Sequence, residues 1–513
     1  MRRSGVLLPV TSLPSRFGIG TFSKEAYAFV DFLKEAGQKL WQILPLGPTG
    51  YGDSPYQAFS TFAGNPYLID LEELIENGWL TEEECENTDW GGSKSYVDYE
   101  KMYQGRFPLL RKAYHNSHIA ENAEFIAFCE ENDWWLSDYA LFMAIKDSQG
   151  GASFLEWDAP LKLREPEAIR RCRHELSDEI CFWQFLQYLF AKQWQALKRE
   201  KTKVSKYEKK QKRYQQKQLS DANDAKEKEL QIVGDIPIFV ALDSADTWSH
   251  PELFQLSEGC VPKAVAGVPP DAFSATGQLW GNPLYDWEYH KKTGYDWWIL
   301  RIGYSYRLYD IVRVDHFRGF EAYFSIPYGD ETAVNGHWEK GPDFELFAAM
   351  KMKLGKKEMI AEDLGVITPP VRKMIKKCGY PGMKVLQFAF DSYDSEYLPH
   401  NYDKNCIVYT GTHDNQTTRG WYEENNRKVQ KYIREYLRVK SGKDVVEAMI
   451  ATAMSSTAGT AVIPMQDWLG LGREARMNFP STLGDNWKWR LTDGQLTDAL
   501  AAHMKDVTET YCR

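Results

Sequence analysis

The chain has 513 residues, enough to bury a large core, and carries 62 Lys and Arg against 72 Asp and Glu for a formal net charge of −10. That balance, with a pI near 5.6, argues against nucleic acid or an anionic membrane surface as the main partner and favours a neutral substrate. Aromatic residues make up 14% of the chain, which suits either a packed core or flat platforms for sugar rings.

The first element expected is a strand over Gly5–Val10. The two positive charges before it and the short apolar stretch broken by Pro9 do not make a signal sequence. A helix follows over Ser23–Ala36, where Ala26, Phe29, Val30, Leu33 and Ala36 recur at three-and-four spacing; Ser23 can cap its start and Gly37 can end it. Further strands are expected at Leu40–Leu46, Gln231–Ile236, Ile311–Asp315, Met359–Glu362, Met383–Phe390, Cys406–Thr410 and Thr460–Met465. Most are continuous apolar runs, as strands covered on both faces should be. Eight strands separated by helical segments predict an α/β fold, a (β/α)8 TIM barrel.

The spacing between strands is uneven. Residues 47–230 read as a Trp- and Tyr-rich helical insertion after the second strand, and 239–309 as a second insertion with a Pro/Gly-rich loop at 268–283. Both are expected to grow from barrel loops, leaving 1–513 as a single catalytic unit. Within the first, Lys198–Glu229 is almost wholly polar, so it cannot bury a face. A solvated helix or helical hairpin projecting from the surface is expected there, with a disordered stretch as the alternative, and it is the one segment that could dock a protein partner or a second copy. No apolar run is long enough to span a membrane, and the eight cysteines form neither a CxxC pair nor a zinc-spaced cluster. Free thiols in a cytoplasmic protein are the simplest account.

Barrel enzymes carry their catalytic groups at the C-terminal ends of strands. Three acids occupy such places: Asp315 after the fourth strand, Glu362 after the fifth and Asp414 after the seventh. Arg313 and Asp315 project from the same face because strand side chains alternate. A cation there is expected to hold Asp315 ionised, although a purely structural Arg–Asp pair would leave the same local pattern. Glu362 has no cation near it in sequence, and crowding among carboxylates should raise its pKa. Retaining glycosyl transfer uses such a pair, one carboxylate attacking the anomeric carbon and one acid protonating the leaving oxygen, about 5–5.5 Å apart. Asp414 could then stabilise the developing positive charge, and His316 and His413 could bond sugar hydroxyls. A zinc site built from these histidines is the rival reading, and the acids and histidines lack the ligand spacing it would need.

Motifs along nearly the whole chain carry a family resemblance. They include Gly5–Pro14, Trp41–Pro48, Ser54-Pro55-Tyr56, Gly234–Val240, Val268–Phe273, Gly277–Pro283, Arg313–Gly319, Ala361–Gly365, Gly411–Asn415 and Asn486–Arg490. The sequence resembles the 4-α-glucanotransferases, or amylomaltases, of glycoside hydrolase family 77. The resemblance implies a barrel related to the α-amylases and a cofactor-free double displacement. A segment of a 1,4-α-glucan would pass to the 4-hydroxyl of glucose or a maltodextrin. It also implies Asp315 as nucleophile, Glu362 as acid/base and Asp414 as transition-state stabiliser. Its sugar-contacting positions fall on Tyr56, Asp271, Trp280, Arg313, His316, Asp391, His413 and Asn486. Phe273, Gln278 and Asn282 would lie in or beside the 268–283 lid. Two departures stand out: the charged 198–229 stretch is longer than expected, and Ser481 stands where a glycine is expected. An amylase-type α-glucan hydrolase and a non-catalytic glucan-binding scaffold are the competing expectations.

Overall fold

The computed structural model describes residues 2–50, 52–202, 230–270 and 274–513. Twelve strands, numbered here in chain order, form two sheets among those residues. Eight of them make the barrel: β1 (Arg3–Leu7), β2 (Leu40–Gln42), β3 (Gln231–Ile236), β6 (Ile311–Val314), β9 (Met359–Ala361), β10 (Gly382–Val385), β11 (Cys406–Tyr409) and β12 (Thr460–Pro464). All their pairings are parallel, in the order β10-β11-β12-β1-β2-β3-β6-β9. The Ala361 N–H donates to the Pro381 carbonyl at 3.0 Å, which brings β9 against the start of β10 and nearly closes the ring. The fold is the expected (β/α)8 barrel.

Alternation divides each strand's side chains between two cores. Leu7, Leu40, Val233, Ile311, Ile360, Met383, Ile407, Tyr409 and Val462 form one small cluster that fills the barrel. Their neighbours in sequence, such as Val6, Trp41, Ile232 and Val312, pack outward into the much larger layer under the helices. Because Ile311 and Ile360 point inward, Arg313, Asp315 and Glu362 further along the same strands do too.

Several boundaries differ from expectation. The first strand ends at Leu7, and Val10–Ser12 is a 3-10 turn. The second is only Leu40–Gln42, and Leu386–Phe390 is a 3-10 turn in place of a longer β10. The first helix spans Lys24–Glu35, but the Ser23 hydroxyl does not cap it; it is engaged with Ser15 and Glu25. Gly37, at φ +71°, ends that helix in the left-handed conformation glycine tolerates best.

Between β2 and β3 the chain is helical, dominated by the antiparallel partners Ala123–Ser148 and Ser177–Thr202. Trp135, Trp157, Trp183 and Trp194 are buried there, so these indoles serve packing. The expected projecting segment and its partner surface lie, from 203 to 229, outside the described residues. Among the described residues no helix is long and apolar enough to cross a membrane, and all eight cysteines are unpaired.

A second sheet was not anticipated. Strands β4 (Ala264–Val268), β5 (Gln278–Pro283), β7 (Ala322–Pro327) and β8 (His337–Lys340) pair antiparallel in the order β5-β4-β7-β8. It joins the loop region after β3 to a hairpin inserted between β6 and β9, over its own small core of Val265, Phe324, Ile326 and Ala333. The Ala333 N–H donates to the Thr276 carbonyl at 3.0 Å, so the hairpin braces the loop between β4 and β5.

Candidate active site

Register brings the charged groups together at the C-terminal mouth. Asp235 on β3 is the register partner of Arg313 on β6, and Val314 is the partner of Ala361 on β9. One residue further along those neighbouring strands stand Asp315 and Glu362. Adjacent strands lie about 4.8 Å apart, so the two carboxyls issue from backbone positions at that order of spacing.

Asp235 is fully buried, and the Arg313 Nη1 donates to its two oxygens at 2.6 and 2.5 Å. The Arg313 Nη2 reaches Asp315 Oδ1 at 3.0 Å. This corrects one expectation. Arg313 shares its charge, and most of its bonding goes to Asp235. Burial therefore dominates at Asp315 and lifts its carboxyl to about 6; Arg313 opposes that rise, while the charges of Asp235 and Asp414 add to it. A close approach permits this arrangement. A Cβ on Gly234 would lie 2.1 Å from the Tyr309 ring, so only glycine fits beside Asp235.

Glu362 is held by backbone. Its Oε2 accepts from the His316 N–H at 2.7 Å and its Oε1 from the Leu364 N–H at 2.6 Å. The first bond requires His316 to adopt φ +49°, ψ +47°, a strained conformation for a side chain of this size. The Phe317 N–H donates to the Glu362 carbonyl at 3.0 Å and fastens the same turn. Burial, then the charge of Asp315, push the Glu362 carboxyl up to about 8, against Arg313 and the two N–H donors. Near neutrality the site thus holds one ionised and one protonated carboxyl. His316 is itself kept neutral, its pKa lowered to about 3 chiefly by burial.

The third acid is joined to this centre by a chain of polar contacts. The Tyr56 hydroxyl donates to Asp235 Oδ2 at 2.8 Å, so its oxygen accepts from His413 Nε2 at 2.9 Å, and that nitrogen lies 3.4 Å from Asp414 Oδ2. The loop carrying His413 and Asp414 is set by buried Asp467, which accepts from Thr410 Oγ1, Thr418 Oγ1 and the Thr418 N–H at 2.5, 2.7 and 2.8 Å. Asn478 Nδ2 donates to Asp414 Oδ1 at 2.7 Å, and Arg476 Nη2 donates to the Asp414 carbonyl at 3.1 Å. The Asp414 side chain itself remains 44% exposed.

The other expected residues are less uniform. The Trp280 ring meets His316 edge-on at 4.8 Å, and its Nε1 donates to Gln278 Oε1 at 3.1 Å, which puts both at the rim. Asn282 spends its amide on the Val240 carbonyl and on Gln57. Asn486 accepts from the Phe479 N–H and donates to Thr482, closing the turn that follows Asn478. Asp391 is exposed after the turn that follows β10, without a hydrogen bond to the acids. Asp271 and Phe273 lie outside the described residues. Sequence reasoning passed over Asp235 and Asn478. Asp235 stands one residue before the end of a barrel strand, close to where the other acids follow theirs, which was a usable signal; nothing local marked Asn478.

Among the described residues no group of three or more His, Cys, Asp and Glu could hold a metal ion. Two carboxyls of opposed protonation on neighbouring strands, Glu362 buried and Asp315 partly exposed, are a constellation for acid-assisted displacement at an acetal carbon.

Comparison with known proteins bears on the same point. The glycoside hydrolase family 77 model, described as 4-alpha-glucanotransferase, matches residues 8–206 and 199–497. The chain belongs to that family. It is 47% identical over 507 residues to a 4-alpha-glucanotransferase of Clostridium butyricum, covering 98% of this chain and 99% of that protein. It is 45% identical over 520 residues to one from Thermus thermophilus, covering 99% and 98%. Among solved structures it matches an amylomaltase from Streptococcus agalactiae, determined with acarbose, with a TM-score of 0.93, 42% identity and complete coverage of both chains. An amylomaltase from Corynebacterium glutamicum shares the fold at TM-score 0.74 and 18% identity, over 100% of this chain and 75% of that one.

Proposed function

We propose that this member of the family transfers a segment of a 1,4-α-glucan to the 4-hydroxyl of glucose or another glucan with retention, through a covalent glycosyl intermediate on Asp315. The observation that carries the proposal is the adjacent pair: Asp315 beside Arg313, and Glu362 fixed by two backbone donors and raised well above it. In the first step Asp315 Oδ attacks the anomeric carbon while Glu362 gives its proton to the departing 4-oxygen. In the second, Glu362 takes the proton from the incoming 4-hydroxyl, whose oxygen displaces Asp315. Asp414, partly exposed and linked to the pair through His413, Tyr56 and Asp235, stabilises oxocarbenium charge in both steps. The acarbose bound by the Streptococcus agalactiae relative supports an α-glucan-shaped cleft here.

Transfer outruns hydrolysis only if an acceptor sugar displaces water from the intermediate. Trp280, standing against His316 on the edge of the braced second sheet, is suited to cover the acceptor side. Incubation with maltotriose, followed by separation of products by length, tests the activity. Glucose together with a ladder of longer maltodextrins is expected; glucose and maltose without longer chains would mean a hydrolase. Trp280→Ala should raise the share of hydrolysis several-fold, and an unchanged share would remove Trp280 from this role.

A further inference from the structure

The opposite mouth of the barrel holds a feature the transfer reaction does not use. A cavity of about 700 Å³ opens among the N-terminal ends of the barrel strands, within the range of small-molecule sites. In a chain of net charge −10, eight Lys and Arg side chains line it, against Glu358 as the one acidic side chain. Arg3 takes up Glu358 at 2.6 Å. Arg2 donates to the Met454 and Ser456 carbonyls, and Arg513 to those of Ala453, Met454 and Ser456. These bonds cap the end of the helix Val445–Ser455, as cations often do, and help offset its partial negative charge. They leave most of the formal positive charge unmatched.

Lys39, Lys356, Lys357 and Lys404 line the same space, and none has a carboxylate partner among the described residues. Lys39 is half-buried, and the other three are exposed. None of the four lies in the last turn of a helix, so capping does not account for them. One wall is apolar, made by Ile302, Met350 and Tyr380. Ammonium groups around one cavity repel each other unless a counter-charge sits among them, and an apolar wall suits the carbon skeleton that bears it.

We infer that this cavity binds a small organic phosphate carrying at least two negative charges, remote from the three acids. The test is calorimetry on the full chain at fixed ionic strength, with a hexose bisphosphate as probe and glucose and inorganic phosphate as separate arms. Saturable binding of the bisphosphate, none of glucose and weaker binding of inorganic phosphate are expected. Lys357→Gln/Lys404→Gln should weaken the bisphosphate at least tenfold while leaving maltotriose disproportionation unchanged, and Lys357→Arg/Lys404→Arg should restore it. No saturable binding, equal binding of glucose, inorganic phosphate matching the bisphosphate, or an affinity indifferent to the Gln pair would each overturn the assignment.

Discussion

The two mouths of the barrel are built from the same strands and handle charge in opposite ways. At the C-terminal mouth the ionisable groups answer one another: Arg313 with Asp235 and Asp315, Tyr56 with Asp235 and His413, Glu362 with two backbone donors. At the N-terminal mouth cations gather with one carboxylate side chain among them. A closed network fixes protonation states and geometry, which a displacement reaction needs. An open excess of one sign selects a counter-ion and fixes little else. Substitutions should therefore separate cleanly, with chemistry lost at one end and anion binding at the other.

The largest effects belong to the acids. Asp315→Ala should lower the transfer rate by about 10⁴-fold or more. Glu362→Gln should lower it by about 10²–10⁴-fold with maltotriose, and by much less for glycosylation of the enzyme by a glycosyl fluoride, which leaves without a proton. Equal loss of that step with both donors would remove Glu362 from the role of acid.

Asp235→Asn strikes the network one layer below. It leaves Arg313 buried without its main counter-charge, and denaturant unfolding should register a loss of about 3–5 kcal/mol. It also has a signed effect on pH dependence. The unaltered protein should show a bell-shaped kcat/KM profile, rising as Asp315 ionises near 6 and falling as Glu362 deprotonates near 8. The charge of Asp235 raises Asp315, so removing it should move the acid limb to lower pH. An acid limb that stays in place would show that Asp315 does not set it.

Smaller effects sharpen the picture at the rim. Asn478→Ala removes the 2.7 Å bond to Asp414 and should cost about 1.5–3 kcal/mol of transition-state stabilisation, roughly 10–150-fold in kcat/KM. Ser481 sits at φ +63°, which explains why a glycine suits that place. Ser481→Gly should be neutral or stabilising by up to about 1 kcal/mol in thermal unfolding, and a clear loss would mean the hydroxyl matters more than the backbone.

Much of this was legible in the sequence because it depends on local periodicity. Alternation put Arg313 and Asp315 on one face, and strand ends put Asp315, Glu362 and Asp414 at one mouth. What escaped depends on partners distant along the chain. The principal partner of Arg313 is Asp235, 78 residues away, and only register between β3 and β6 reveals it. The second sheet escaped because β4 contains glycine and alanine, and β8 reads as His-Trp-Glu-Lys, so neither announces a strand without its neighbour. Ser23 had the residue type for a cap but was already bonded to Ser15 and Glu25.

The central claim is that Asp315 becomes glycosylated while Glu362 manages the proton. Its most direct test is mass spectrometry of Glu362→Gln protein, acid-quenched and digested during reaction with α-maltotriosyl fluoride. Glycosylation then proceeds without an acid, while breakdown lacks its base. A maltotriosyl adduct on the peptide bearing Asp315 is the expected result. An adduct on Asp414 or Asp235, or fluoride release with inversion and no adduct, would contradict it.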